Sequence, residues 1–328
     1  MNNTLIKNLK SSVKTVFGWL GFKISKIPNK NTSPIKWVQT RVGKFSIFLT
    51  SNHLLPFYLE NHPFYSTNLP RLALLVIKKY KDLRMIDVGA NVGDTVALVR
   101  SACHFPIVSI EGDDKFFEIL KVNLKQFEGV ECYKQLLGEK DGTIEAILLK
   151  NIETARIQST NTLNQKATLN IMKLDSFLEN HRSFSSAKLL KIDTDGYDMK
   201  VIRGGMRFVK DSKPVLFFEY FFHEDQEDDG ISTLLLLENA GYKDIIFYDN
   251  FGKFILSANL SDRILIKQLH NYIDKRTRTP LSYYDIILFH EEDSDLARKF
   301  IEDEMHFFYQ EKDVSTQYEK NRHTPDLR

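Results

Sequence analysis

Arg84-Met-Ile-Asp-Val-Gly-Ala-Asn-Val-Gly-Asp94 is the stretch on which the fold turns. A short apolar run from Arg84 enters Gly89, and a helical stretch from Asp94 to Ala102 leaves the loop. Glycines at 89 and 93 permit a tight turn and a close backbone approach to a ligand. A dinucleotide fingerprint would carry glycine where this chain has Asn91, and asparagine crowds a pyrophosphate. The loop therefore suits a ligand without a diphosphate. The next strand, Pro106 to Glu111, ends on an acid where a carboxylate can accept both hydroxyls of a ribose. Loop and acid together are more specific than either alone. The plainer alternative makes Asp94 a helix cap and Glu111 an exposed strand-end acid.

Outward from this loop the chain alternates strand and helix. A helix is predicted over Leu69–Tyr80, entered through Asn68 and Pro70. Past Glu111 come a helix over Asp114–Phe127 and a strand near Val130–Tyr133. Ala146–Lys150 and Ala167–Lys173 read as strands flanking a polar insert. Leu189–Asp193, Val215–Glu219, Ile245–Tyr248 and Tyr284–Phe289 read as buried or closing strands. Helices are expected at Ser176–His181, Met199–Phe208, Ser232–Ala240 and Ile264–Tyr272. This β-α-β-α-β order argues for an open, mainly parallel α/β sheet with helices on both faces. Upstream, Lys44–Thr50 could form a strand, and residues 27–35 are turn and linker chemistry.

A second group of polar residues collects at predicted strand ends. Asp193 and Asp195 flank Thr194 where the fourth strand stops, and Glu219 ends the fifth, with His223 four residues on. In open α/β sheets the ligand crevice lies outside the carboxyl ends of the strands. Asp193, Asp195, Glu219 and His223 could thus form one cluster from two strand ends. A competing reading makes Asp195-Gly-Tyr197 a turn and helix cap, with Asp195 or Asp198 accepting backbone N–H groups. The aromatic segments His53–Tyr58 and His62–Tyr65 offer either an acceptor wall or ordinary core and lid packing.

Ile86–Asp94, Ser109-Ile-Glu111 and Lys191-Ile-Asp-Thr-Asp-Gly-Tyr197 together resemble the FkbM family of S-adenosylmethionine-dependent methyltransferases, over roughly residues 84 to 220. The resemblance implies a Rossmann-like, seven-stranded class I methyltransferase sheet with its last strand antiparallel. It implies Asp87, Gly89, Asn91 and Gly93 around the methionine end of the cofactor, Glu111 on its ribose, and Gln135, within Lys134–Gly138, beside its adenine. Many relatives methylate hydroxyls of sugars or natural products, so an O-methyltransferase acting on a glycan, glycolipid or secondary metabolite is expected. Three positions depart from the family pattern. Gly112 stands where proline is frequent, Asp195 where glutamate is common, and Lys134–Gly138 lacks the usual asparagine. A hydroxyl is a poor nucleophile until deprotonated, so Asp193 or Asp195 is expected to act as base. Alternatively Asp193, Asp195 and Glu219 hold Mg²⁺, which would acidify a bound diol. The sequence leaves both open.

The 328 residues carry a net charge of +2, which gives no global argument for nucleic acid. The charge is uneven: nine Lys or Arg and no acid precede Glu60, so the remainder is net acidic. Leu5, Leu9, Val13, Val16, Phe17 and Leu20 recur at helical spacing among those lysines. They predict a basic amphipathic helix that touches an anionic membrane through residues 1–26, or one that packs on the catalytic domain. Two cysteines suit a reducing, cytoplasmic setting, with the inner membrane face as a candidate site of contact. No apolar run approaches the ~20 residues of a membrane span. The expected layout is a basic extension with a candidate acceptor or lid segment over 1–67, a methyltransferase domain over 68–311, and a polar tail over 312–328. A small-molecule or glycan acceptor is the expected partner. The rivals are a nicotinamide-dependent oxidoreductase on a similar sheet and a catalytically silent cofactor-binding or membrane-docked module.

Overall fold

Short runs rich in Val, Ile, Leu and Phe become strands in the computed structural model, which describes residues 36–150, 155–158, 167–221, 227–273, 281 and 283–309. In chain order these are β1 (Trp37–Val42), β2 (Phe45–Thr50), β3 (Met85–Val88), β4 (Ile107–Glu111), β5 (Val130–Lys134), β6 (Leu136–Gly138) and β7 (Gly142–Lys150). They continue with β8 (Ala155–Gln158), β9 (Ala167–Lys173), β10 (Leu189–Ile192), β11 (Val215–Tyr220), β12 (Tyr242–Tyr248), β13 (Phe254–Asn259) and β14 (Tyr284–His290). Among the described residues the main sheet has eight strands in the order β13-β12-β14-β11-β10-β3-β4-β5. The five strands from β11 to β5 pair in parallel. β14 runs antiparallel between β11 and β12. The chain steps outward from β3 through β4 to β5, then returns to β10 on the other side of β3. That reversal is a topological switch point, which leaves a crevice at the carboxyl ends of β3 and β10.

Every residue of β3, β4 and β10 is buried, as parallel strands covered on both faces require. Successive side chains enter opposite layers. Met85, Ile107, Leu189 and Phe217 face one core, and Ile86, Val108, Leu190 and Leu216 face the other. The first core is covered by the helices Asn68–Lys79, Asp94–Ala102, Asp114–Leu124 and Ser294–Tyr309.

The expected α/β sheet with its antiparallel closing strand is present, but it has eight strands rather than seven. The addition is β13, which pairs antiparallel with β12 at the edge. The turn between them is built by Asp249, whose Oδ1 accepts the N–H groups of Phe251 and Lys253, each at 2.9 Å. β6 to β9 form a separate four-stranded sheet, so the two strands predicted around the polar insert stay out of the main one.

The compact unit that holds the sheet begins at Trp37, not at residue 68. Val42, Ile47, Leu49 and Leu55 are essentially inaccessible and join the first core. Asn123, also buried, fastens β2 to the glycine loop. Its Oδ1 accepts Phe48 N–H at 2.7 Å, and its Nδ2 donates to Phe48 O at 2.8 Å and Val92 O at 2.7 Å. Residues 37–67 are thus part of the domain. The predicted N-terminal helix, most of the polar insert and the 312–328 tail lie outside the described residues, as does His223. Among the described residues no helix is long and apolar enough to cross a membrane.

Candidate active site

The loop after β3 turns through three left-handed positions: Gly89 (φ +74°), Asn91 (φ +48°) and Gly93 (φ +88°). At Gly89 the requirement is absolute, because a Cβ would lie 1.8 Å from the Asp193 carbonyl oxygen. The backbones after β3 and β10 touch there, so both loops open onto the same crevice. Asn91 tolerates its conformation as asparagine commonly does. Its N–H donates to Glu111 Oε2 at 2.8 Å, while Asp113 N–H donates to Glu111 Oε1 at 2.7 Å. Glu111 therefore pins the glycine loop from the end of the neighbouring strand. Burial pushes its carboxyl up to about 7, against the pull of those two backbone donors.

Behind the loop stands a buried cation. Lys191 is the register partner of Asp87 across the β3–β10 pair. Its Nζ lies 3.1 Å from Asp87 Oδ1 and 3.4 Å from Asp193 Oδ2, and donates to Gly89 O at 3.1 Å. Burial alone would favour neutral lysine, but Asp87, Asp193 and Asp94 outweigh it and hold the ammonium protonated. Lys191 thus ties both strand ends and the first loop carbonyl together.

The second loop owes its shape to Asp198. This buried carboxylate accepts Thr194 Oγ1–H at 2.8 Å and the N–H groups of Thr194 and Gly196, both at 3.3 Å. Asp198 braces the turn rather than capping the helix Asp198–Gly204, which has no side-chain cap hydrogen bond, while Asp195 sits in the turn at φ +53° and lines the cavity. Burial raises Asp198 to about 6, and raises Asp94 to about 6 from the first turn of its helix. Glu219 lies opposite Asp285 in the β11–β14 register. Burial first, then Asp193, pushes both carboxyls well above the usual range.

These groups surround a cavity of about 430 Å³. Of the residues singled out in the sequence, it brings together Gly89, Asn91, Glu111, Gln135, Asp193, Asp195 and Glu219. Asp87 and Gly93 stand behind the wall: Asp87 is wholly buried against Lys191, and Gly93 packs on Leu120. Gln135 N–H bonds Glu111 O at 3.1 Å and carries the Lys134–Gly138 stretch along one side. Gly112 has a packing reason, since a Cβ there would fall 2.1 Å from Leu136 Cδ2.

The roof comes from residues 53–65 and the β12–β13 turn. His53, Leu55, Tyr58, Tyr65, Asn250 and Phe251 all line the cavity. His62 stacks on Phe251 at 3.7 Å, joining the two parts. His53 Nδ1 accepts Leu55 N–H at 3.1 Å. Burial lowers its pKa to about 4, so it is neutral beside Asn91.

Among the described residues no group of three or more His, Cys, Asp or Glu side chains could hold a metal ion. Asp193, Asp195 and Glu219 share the cavity wall without forming one coordination sphere, so the Mg²⁺ alternative finds no fit there. Sequence reasoning also passed over Lys191, Asp285, Asn250 and Tyr283. Two of them carried a signal: a lysine and an aspartate inside otherwise apolar strands must find partners.

Residues 87–243 match the family model for the methyltransferase FkbM domain. No curated protein matches the chain. Among solved structures, methyltransferase FkbM from Methylobacillus flagellatus KT is similar at 14% identity and TM-score 0.40, covering 64% of this chain and 44% of its own. The chain thus spans less than half the length of that relative. A precorrin-6y C5,15-methyltransferase from Geobacter metallireducens GS-15 aligns at 13% identity and TM-score 0.34, over 64% of this chain and 80% of that one. A putative O-methyltransferase from Klebsiella pneumoniae aligns at 9% identity and TM-score 0.36, over 68% and 79%. The glycine loop, the Glu111 clamp and the acids after β10 all fall inside the segment that matches the methyltransferase FkbM domain.

Proposed function

We propose that the chain is an S-adenosylmethionine-dependent methyltransferase that methylates a hydroxyl of a glycan, glycolipid or secondary metabolite. Glu111 carries this reading. A carboxylate offers about four acceptor sites. Two are used by the Asn91 and Asp113 N–H groups, and the side chain still lines the cavity. The remaining two suit the vicinal hydroxyls of a ribose. The backbone at Gly89 and Asn91 would border the methionine portion, and Gln135 and Leu136 the adenine side. Cavities of ~300–1,000 Å³ are the usual size for such ligands.

S-adenosylmethionine, when bound, would supply a methyl carbon already activated by the sulfonium charge. The protein is left to orient the acceptor, exclude water and take its proton. His53, Tyr58 and Tyr65 in the roof serve exclusion. Asp193 and Asp195 are the proposed proton acceptors, a role worth ~10²–10⁴-fold in rate. The hydroxyl proton passes to the carboxylate as the oxygen–carbon bond forms and the carbon–sulfur bond breaks. No step is routed through a metal. Cytoplasmic placement, with residues 1–26 against an anionic membrane face, belongs to the same proposal and rests on the sequence alone.

A thermal-shift titration with S-adenosylhomocysteine, with NAD⁺ alongside, tests the reading. At ~100 times its dissociation constant a ligand stabilises by ~2.7 kcal/mol, about 4 °C for a chain of this length. A shift with the homocysteine product alone supports the reading; a shift with NAD⁺ alone, or with neither, refutes it.

A further inference from the structure

Beyond the main cavity, and sharing Tyr65, Asp193, Glu219 and Tyr283 with it, lies an inner chamber of about 60 Å³. That is well above the roughly 10–15 Å³ that admits one water, and too little for a sugar ring. Asn68 and Asp285 belong to the chamber and not to the outer cavity.

Asn68 opens the helix Asn68–Lys79 and is fully buried, at 0% exposure. Its Oδ1 accepts Leu69 N–H at 3.0 Å, which sets the orientation of the amide. Its Nδ2 has no hydrogen-bond partner among the described residues. Buried amide donors are almost always paired, so this one calls for an acceptor supplied from within the chamber. The same lining carries four acids. Glu219 and Asp285 are cross-strand partners, with Asp94 and Asp193 beside them. Asp195, Asp198 and Asp249 add negative charge around the pair. The cation in the wall, Lys191, is already engaged by Asp87 and Gly89 O.

Tyr65, Ser66, Thr95, Asn250 and Tyr283 also line the chamber, and of its lining Asn68 Nδ2 is the buried donor left without a partner among the described residues. An ammonium group has three donors and no acceptor, so it would leave Asn68 unmet. A carboxylate or phosphate would satisfy Asn68 but lie against four acids. A hydroxyl accepts and donates at once. We infer that the chamber is an acceptor subsite for an uncharged, hydroxyl-bearing arm, with Asn68 Nδ2 donating to the hydroxyl oxygen and Glu219 or Asp285 accepting its O–H. The inference rests on the methyltransferase reading and adds to it that the acceptor is a polyol without charge at this arm.

The test uses the full chain saturated with S-adenosylhomocysteine and three probes on one scaffold: glycerol, 3-amino-1,2-propanediol and glycerate. Saturation-transfer NMR reads their binding. Glycerol should show at least about fivefold more transfer than either charged probe. Asn68→Leu should remove the glycerol signal while the S-adenosylhomocysteine dissociation constant stays within threefold. Asp285→Asn, which keeps the side-chain shape, should raise the glycerate signal. Equal or stronger binding of a charged probe, no glycerol binding, or an unchanged signal in Asn68→Leu would overturn the subsite. Absence of S-adenosylhomocysteine binding would instead overturn the methyltransferase reading beneath it.

Discussion

Replacing Glu111 by alanine separates its clamp on the glycine loop from the ribose contact proposed for the same side chain. In the free protein its oxygens accept Asn91 N–H at 2.8 Å and Asp113 N–H at 2.7 Å. Removing them leaves two donors short of a partner, at ~1–3 kcal/mol each if water cannot reach them. Solvent from the cavity should relieve part of that, so a loss of ~2–4 kcal/mol is expected. With ~2.1 cal/mol/K of unfolding entropy per residue, the melting midpoint should fall by about 3–6 °C. The ligand-bound protein loses two further hydrogen bonds, those from a ribose diol to a charged group, at ~1.5–3 kcal/mol each. The dissociation constant for S-adenosylhomocysteine should therefore rise by roughly 10²–10⁴-fold. Isothermal titration calorimetry reads the second effect and a melt of the free protein the first. A variant that binds S-adenosylhomocysteine within threefold of wild type would refute the ribose assignment, whatever its melting midpoint.

Other expectations follow from the same geometry. Gly89→Ala forces a Cβ to 1.8 Å from Asp193 O at a φ of +74°. It should cost ~1–2 kcal/mol for the backbone alone, more for the displaced β10 end, and abolish S-adenosylhomocysteine binding in the same calorimeter. Lys191→Met strands the Asp87 carboxylate in the core and should lower stability by ~3–5 kcal/mol in urea unfolding, with Asp87→Asn restoring part of the loss. The free protein should melt higher near pH 5.5 than at pH 8. Glu111 is raised from 4.5 to about 7, and Asp94 and Asp198 from 3.8 to about 6, so the folded state holds more protons than the unfolded one between those values. Stability then falls as pH rises through that window. A melting midpoint that climbs from pH 5.5 to 8 would contradict the burial of these acids.

Much of this site could be read from local pattern. Gly89 and Gly93 between an apolar run and a helix, with an acid ending the next strand, announced the crevice and its Glu111 clamp. The placement of Asp193 and Glu219 followed from the rule that ligands gather at strand ends. What the sequence hid depends on contacts distant along the chain. Asn68 and Asp285 stand 217 positions apart in the chain and line one chamber only once it is folded. Residues 37–67 read as an appendage because they precede the first parallel strand and their clearest signal is aromatic. Their burial in the first core and the grip of Asn123 on β2 show that they are part of the domain. β13 has the apolar run Phe254-Ile-Leu256, and what makes it a strand is its antiparallel pairing with β12, which local pattern does not show. Asp87 was expected at the ligand, and it stands one layer back, holding Lys191.

A crystal structure with S-adenosylhomocysteine bound would show whether Glu111 holds the ribose. One ligand per chain is expected in the 430 Å³ cavity, its ribose hydroxyls within hydrogen-bond distance of Glu111 and its sulfur turned toward Asp193 and the inner chamber. A ligand seated elsewhere, or with its ribose away from Glu111, would contradict the ribose assignment.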